Sequence, residues 1–314
     1  MKESLLEWLR CPDCGQGLRL ESEARDGDEV MEGRLRCVCG QQFPVQRGVP
    51  RFAAADAGVE NFSFQWLRHR TTQLDSAGRT ESSDTFAQKT GLAGNDLAGR
   101  LVLDVGVGTG RFADIAHRAG AEVVGVDLSF AVESAFENLG RRPRVHIVQA
   151  DLFRLPFAPA TFDVVYSIGV LHHTPDCRKA FHAAAQATKS GGLLSVWLYH
   201  AYHSNPRAIQ LYRGLAQHLP IRALYLLCYL AVPAYYLYKV PVLRGLLAQL
   251  GPTFSLHPDW RWRVLDTFDW YGPRYQSHHT YAEVFGWYRE AGFRDIDVLA
   301  DPVSFRGRRG EGRG

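Results

Sequence analysis

Leu101-Val-Leu-Asp-Val-Gly-Val-Gly-Thr-Gly-Arg111 is an apolar, β-branched run that reaches Asp104 and opens into glycines at alternate positions, Gly106, Gly108 and Gly110. An amphipathic segment, Phe112 to Ala119, follows at once. The pattern predicts a strand over 101–105, a tight glycine loop and a helix over 111–119. Glycine takes positive φ without strain and lets a ligand approach where a Cβ would stand. A dinucleotide-binding fold needs G-x-G-x-x-G, whose third glycine closes the helix onto the strand. Here Arg111 holds that position and the third glycine comes one residue early. Asp104, ahead of the loop, suits a cationic amino group better than a diphosphate.

Three more pieces follow in order. Glu122-Val-Val-Gly-Val-Asp127 is a second buried strand ending in an acid, placed to accept hydrogen bonds from a ribose. Val145-His-Ile-Val-Gln-Ala-Asp151 is a third, with Leu152 and Phe153 beside it. Phe162-Asp-Val-Val-Tyr-Ser-Ile-Gly-Val-Leu-His-His-Thr-Pro175 is a fourth, running into a loop. Strands are predicted at 101–105, 122–126, 144–148, 162–167 and 192–199, with helices at 111–119, 130–138 and 176–188. Such alternation predicts an α/β fold with a mostly parallel sheet and helices on both faces. Ligands then bind beyond the carboxyl ends of the strands.

These four motifs, from about Gly99 to Gly192 and again near Thr280, resemble the class I S-adenosylmethionine-dependent methyltransferases, in the group that includes quinone-pathway enzymes. The resemblance implies a Rossmann-like, seven-stranded sheet. It implies that Asp104, Gly106, Gly108 and Gly110 hold the methionine part of the cofactor and that Asp127 binds the ribose. Asp151 would bind the adenine amino group, Leu128 and Leu152 would pack on its faces, and Ser167 and Ile168 would line the methyl-donor side.

The chain has 314 residues, 46% of them hydrophobic and 22% charged, which is ordinary for a soluble protein. A formal net charge of +3 is too small to demand a nucleic-acid partner. No apolar leader follows Met1, so a cytoplasmic location with reduced cysteines is expected. Cys11-Pro-Asp-Cys14 and Cys37-Val-Cys39 supply four thiols at the ends of a short hairpin. Four thiolates suit a closed, structural zinc site. The second pair has one intervening residue where two are usual. Residues 5–52, ending in Gln41-Gln-Phe-Pro-Val-Gln-Arg-Gly-Val-Pro-Arg-Phe52, resemble the small zinc-ribbon proteins that partner RNA and protein methyltransferases. A ribbon held by its hairpin core, or with partial ligation, is the alternative. Cys177 and Cys228 read as core or loop cysteines.

The expected organisation is a ribbon over 1–52 and a linker with a helical lid over 53–96. A cofactor-binding core over 97–200, a helical acceptor-side insertion over 201–275, and the rest of the core with a flexible basic tail over 276–314 complete it. Residues 61–70 read either as a helix packed on the domain surface or as a lid whose Trp66 or Arg70 touches the carboxylate end of the cofactor. The stretch 223–238 is wholly apolar or aromatic, is flanked by Arg222 and Lys239, and is interrupted by Pro233. It is shorter than the roughly 20 residues that span a bilayer. A buried helix pair roofing an apolar pocket is expected, with peripheral membrane contact as the alternative. A helix over 280–291 and strands near 296–299 and 303–306 close the fold.

Methyl transfer from a sulfonium needs a general base only when the acceptor must lose a proton. His172 and His173, in the loop after the fourth strand, are the candidates, with Tyr199, His200 and His203 near the expected acceptor side. The resemblance also implies a loop-ordering role for the two histidines. Asp269, Tyr271, Tyr275 and His278, in a stretch dense in Asp, Tyr and His, are expected to face the acceptor. The predicted function is methyl transfer to O or C of a small-molecule or lipid-like acceptor. Two other readings stay open: an rRNA or tRNA methyltransferase that binds RNA through the ribbon, and a non-catalytic scaffold.

Overall fold

The computed structural model describes residues 1–53, 58–202, 206–240, 242, 243, 245, 247 and 252–311, with 206–209 through the backbone alone. A four-stranded antiparallel sheet comes first: β1 (Leu18–Asp26), β2 (Glu29–Cys37), β3 (Gln42–Gln46) and β4 (Val49–Pro50). Cys11 and Cys14 form a turn ahead of β1, Cys37 closes β2, and Cys39 lies in the turn to β3.

The main sheet contains β5 (Leu101–Val105), β6 (Glu122–Asp127), β7 (Val145–Gln149), β8 (Phe162–Ile168) and β9 (Thr188–Trp197), all parallel. The antiparallel pair β10 (Phe293–Val298) and β11 (Ser304–Arg309) completes it in the order β10-β11-β9-β8-β5-β6-β7. Both faces are covered, which is why these strands read as nearly continuous apolar runs. Leu103, Val105, Val124, Val126 and Val165 face one side of the sheet. Val102, Val123, Val145, Val164 and Tyr166 face the other. The ribbon shares the first of these cores: Leu5, Leu9, Leu35 and Val45 pack in one cluster with Leu103 and Val148.

The predicted elements appear with shifted ends. β9 starts at Thr188, directly after the helix Cys177–Ala187, whose N-terminus is capped by Asp176 accepting from the Lys179 amide at 3.0 Å. The helix expected over 130–138 divides into an α-turn, Ala131–Ala135, and a π-turn, Phe136–Gly140. The wider turn brings the Phe136 ring against Gly48 of the ribbon. The helix Tyr281–Glu290 starts with a reciprocal Thr280–Glu283 capping box. The tail corrects the sequence reading. Residues 307–309 belong to β11, where Arg309 Nη1 donates to the carbonyls of Ala185 at 2.9 Å and Gln186 at 3.2 Å.

The insertion is helical: Pro206–Ala216, Ile221–Cys228 and Ala231–Leu237 precede Trp260–Tyr271. The apolar stretch breaks at Tyr229–Leu230, just ahead of Pro233, into the expected pair. Its inner face, Leu224, Tyr225 and Cys228, packs on Val264, Phe268 and Tyr271. The pair does not roof the pocket, because the helix Trp260–Tyr271 lies between the two and supplies the lining. No helix among the described residues is long and apolar enough to cross a membrane.

Candidate active site

One cavity of about 720 Å³ opens beyond the carboxyl ends of the parallel strands. Its volume is in the range of a bound small molecule.

One end is built on Asp127. Its Oδ2 accepts from the Gly108 amide at 3.0 Å, and its Oδ1 accepts from the Ser129 amide at 2.9 Å and the Ser129 hydroxyl at 2.7 Å. Burial pushes the Asp127 carboxyl upward against these bonds. Leu128, Asp151, Leu152 and Phe153 line the same end. Asp151 caps the turn Leu152–Arg154 by accepting from the Phe153 amide at 2.9 Å. Phe52, at the end of the ribbon, and Ala53, next to it, also line the cavity. Arg51 Nη1 donates to Gln149 Oε1 at 2.9 Å, and Gln149 Nε2 donates to the Leu128 carbonyl at 2.9 Å.

The glycine loop forms the middle. At Gly106, φ is +83°, and a Cβ would stand 2.3 Å from Val170 Cγ2. Only glycine fits there. A Cβ on Gly108 would meet the Trp66 indole at 3.7 Å, so Trp66 lies against the loop. Arg70 does not: it pairs with Glu137 outside the cavity. Asp104 sits beneath the loop, fully buried beside the Tyr166 phenol, with no hydrogen-bond partner on Oδ2. Burial pushes it up to about 7. A buried carboxylate oxygen without a partner, a loop with glycine at alternate positions and an acid at the end of the neighbouring strand fit a cofactor that carries an amino group and a nucleoside. Ile168 lines the cavity, whereas Asp104, Ser167 and Gly110 do not. The Ser167 hydroxyl turns back to donate to the Val105 carbonyl at 3.0 Å, and Gly110 packs against Leu139.

The far end holds His173, Tyr199, Tyr275 and Asp269 together. Tyr199 Oη donates to Asp269 Oδ2 at 3.2 Å, and Gln65 Nε2 donates to Asp269 Oδ1 at 2.9 Å. His173 Nδ1 lies 3.0 Å from the Tyr275 carbonyl, so Nδ1 carries the proton and Nε2 keeps a lone pair. Burial lowers the His173 pKa and keeps the ring neutral. The other expected residues lie elsewhere. His172 stacks on Tyr199 at 3.8 Å and its Nδ1 accepts from the Tyr199 amide at 3.2 Å, behind the wall. His200 Nδ1 accepts from the Tyr202 amide at 3.2 Å, away from the cavity. Tyr271 donates to the Thr253 carbonyl at 3.0 Å, and His278 lies beside Gln276. Neither lines the cavity. His203 lies outside the described residues.

Sequence reasoning missed three lining groups. Lys89 is held 3.0 Å from the Trp197 ring centroid, and burial lowers it to about 8. Arg111 donates to Ser82 Oγ at 2.8 Å, faces the Trp262 ring at 5.0 Å, and is lowered to about 10 by burial. Asp266 is raised to about 7 by burial and by Asp269 one turn along the helix. Two signals were present: Arg111 stands where a third glycine was absent, and Asp266 is three residues from Asp269.

The four ribbon sulfurs lie within 4.8 Å of one another. The Sγ pairs Cys11–Cys39 and Cys14–Cys37 are 3.7 and 3.3 Å apart. The short Cys37–Cys39 spacing therefore does not keep the thiols from converging. The Gln41 amide and the neighbouring thiols draw Cys39 down to about 7. An all-thiol tetrad of this size suits a tetrahedral, thiophilic ion such as zinc.

Residues 103–196, which span the glycine loop and β5 to β9, match the family model described as a methyltransferase domain. The ubiquinone biosynthesis O-methyltransferase of Azoarcus sp. (strain BH72) is 38% identical over 106 residues, covering 31% of this chain and 42% of that protein. The demethylmenaquinone methyltransferase of Thermobifida fusca is 35% identical over 114 residues, covering 35% of this chain and 48% of that protein. The chain thus spans under half the length of these two relatives. A chain of the complex between the Haloferax volcanii Trm112 methyltransferase activator and a candidate methyltransferase superposes with a TM-score of 0.50 at 12% identity, covering 83% of this chain and 100% of that one. At that identity the likeness is one of fold.

Proposed function

We propose that the chain transfers a methyl group from S-adenosylmethionine to an oxygen or carbon of a small, partly apolar or lipid-like acceptor. The observation that carries this is the single cavity that joins the Asp127 end to the wall of His173, Tyr199, Asp266 and Asp269. S-adenosylmethionine, when bound, supplies an already activated methyl group, so the chain's task is to position the acceptor and exclude water. Asp127 and Asp151 suit the nucleoside, and Asp104 suits the amino group. His173, neutral and with its Nε2 lone pair, is suited to take a proton from an acceptor hydroxyl or acidic carbon. Trp197, Trp262 and Leu265 give the acceptor an apolar bed. Zinc in the ribbon is proposed as structural.

The test is transfer of labelled methyl from S-adenosylmethionine into a fractionated extract, with Asp127→Ala as control. Label in the small-molecule or lipid fraction, absent in the variant, supports the proposal. Label in RNA, or none despite binding of S-adenosylhomocysteine, overturns it.

A further inference from the structure

The helical insertion leaves an apolar surface uncovered on the side away from the cavity. Leu226 is 69% exposed, Leu230 55%, Tyr236 64% and Val242 83%, with Leu227 and Leu237 between them. Soluble monomers rarely leave apolar side chains contiguous over such a surface. The inner face of the same helices is already satisfied by the helix Trp260–Tyr271, so the outer face is not waiting for the chain's own core.

The charge pattern says what covers it. Between Asp176 and Asp259 the chain contains no Asp or Glu. Arg222 and Lys239 flank the apolar surface and are exposed. Lys239 Nζ rests over the Tyr235 ring at 4.3 Å, at the border between apolar and polar groups. Trp260, also exposed, meets Tyr229 at 6.3 Å on the same border. The stretch that supplies this face carries no acid, and Asp259, beside Trp260, is paired with Arg79 at 3.5 Å. An apolar face with cations and aromatic rings at its rim matches the headgroup region of an anionic bilayer. The helices are too short to span it, which makes the contact interfacial.

We propose that Ile221–Cys228 and Ala231–Leu237 dock the chain on the surface of an anionic lipid bilayer, with their exposed leucines in the acyl boundary. Trp260 opens the helix whose later turns, Trp262, Leu265 and Asp266, line the cavity. Docking therefore sets the acceptor wall one helix away from the lipid. This proposal stands without the methyl-transfer reading, because vesicle binding is measured without turnover.

The experiment is flotation of the full chain with phosphatidylcholine vesicles, with and without phosphatidylglycerol, at low and high salt. Binding is expected to need the anionic lipid and to fall with salt. Leu226→Glu with Leu230→Glu is expected to weaken it by at least about tenfold while S-adenosylhomocysteine binding stays unchanged. Binding that survives both substitutions overturns the proposal. So does wild type that ignores vesicles of either composition. Wild type that instead self-associates through this face, and becomes monomeric in the double variant without ever binding vesicles, overturns it as well.

Discussion

The Gly108 amide donates to Asp127 Oδ2 at 3.0 Å, which ties the glycine loop to the end of the neighbouring strand. One carboxylate therefore fixes the loop and lines the cavity. Asp127→Asn keeps the size but replaces one accepting oxygen by a donor. We expect S-adenosylhomocysteine to bind about 10- to 100-fold more weakly, the equivalent of losing one or two charge-assisted hydrogen bonds. Isothermal titration calorimetry measures it. An unchanged affinity would remove Asp127 from the binding site.

Asp104 makes stability depend on pH. Its folded value of about 7 exceeds the ordinary aspartate value of about 3.9 in an unfolded chain. The folded state thus holds this proton more tightly. That contribution is complete below about pH 4 and is lost as the pH rises through about 7. Asp104→Asn removes the dependence. At pH 8 the ligand-free variant is expected to be more stable than wild type by about 2–4 kcal/mol, and at pH 4 nearly equal. Asp266, also raised to about 7, acts in the same direction and remains in both proteins. Urea denaturation at the two pH values checks the difference. The same variant is expected to bind S-adenosylhomocysteine worse.

Arg51 is a positioning residue that links ribbon and core. It is buried, donates to Gln149, and pairs with Glu133 at 3.3 Å. Arg51→Ala leaves these partners unsatisfied and is expected to cost about 2–3 kcal/mol of stability. Because Gln149 in turn holds the Leu128 carbonyl, the variant is expected to weaken S-adenosylhomocysteine binding severalfold. Arg51→Lys, with a single donor group, is expected to recover part of the stability and little of the affinity. A variant that loses stability at unchanged affinity would confine Arg51 to packing.

The thiol tetrad predicts about one zinc per chain by elemental analysis. Cys11→Ser or Cys37→Ser is expected to lose the metal and lower the melting temperature by about 5–10 °C or more. Chelation of wild type is expected to do the same, and re-addition of zinc to reverse it. Metal-free wild type that melts unchanged would assign the ribbon's stability to its hairpin core alone.

Tyr199→Phe separates positioning from binding. The phenol donates to Asp269 and the ring stacks on His172, so the phenylalanine keeps the stack and loses the hydrogen bond. We expect kcat to fall about 10- to 100-fold with little change in cofactor affinity. Steady-state kinetics with the identified acceptor decides it.

The sheet was readable because its physics is local. Parallel strands covered on both faces read as apolar runs, and β5, β6 and β8 follow that pattern through Val105, Val126 and Val165. The far end of the cavity was only partly readable. Lys89 and Asp266 line the same cavity from helices far apart in sequence, and no spacing encodes that. Ser167 was misplaced because strand alternation does not reveal that a hydroxyl will turn back to the carbonyl of Val105. The stretch 223–238 was read as a helix pair from its composition and Pro233. Composition alone, however, does not say which face of an apolar helix finds a partner.

The bridge from Arg51 to Gln149 has a consequence for solubility. β7 is the outermost strand of the main sheet, and an uncovered outer strand is a template on which other chains can add. Arg51 pairs with Gln149 in parallel, and the Phe52 amide donates to the Gln149 carbonyl at 2.7 Å, so the ribbon stands where an intruding strand would. At the opposite margin, the pairing of β10 with β11 slips between Arg294 and Asp297, which breaks the regular ladder there. The ribbon thus acts as a guard against edge-to-edge polymerisation. A chain cut at residue 52 should fail first as an aggregate.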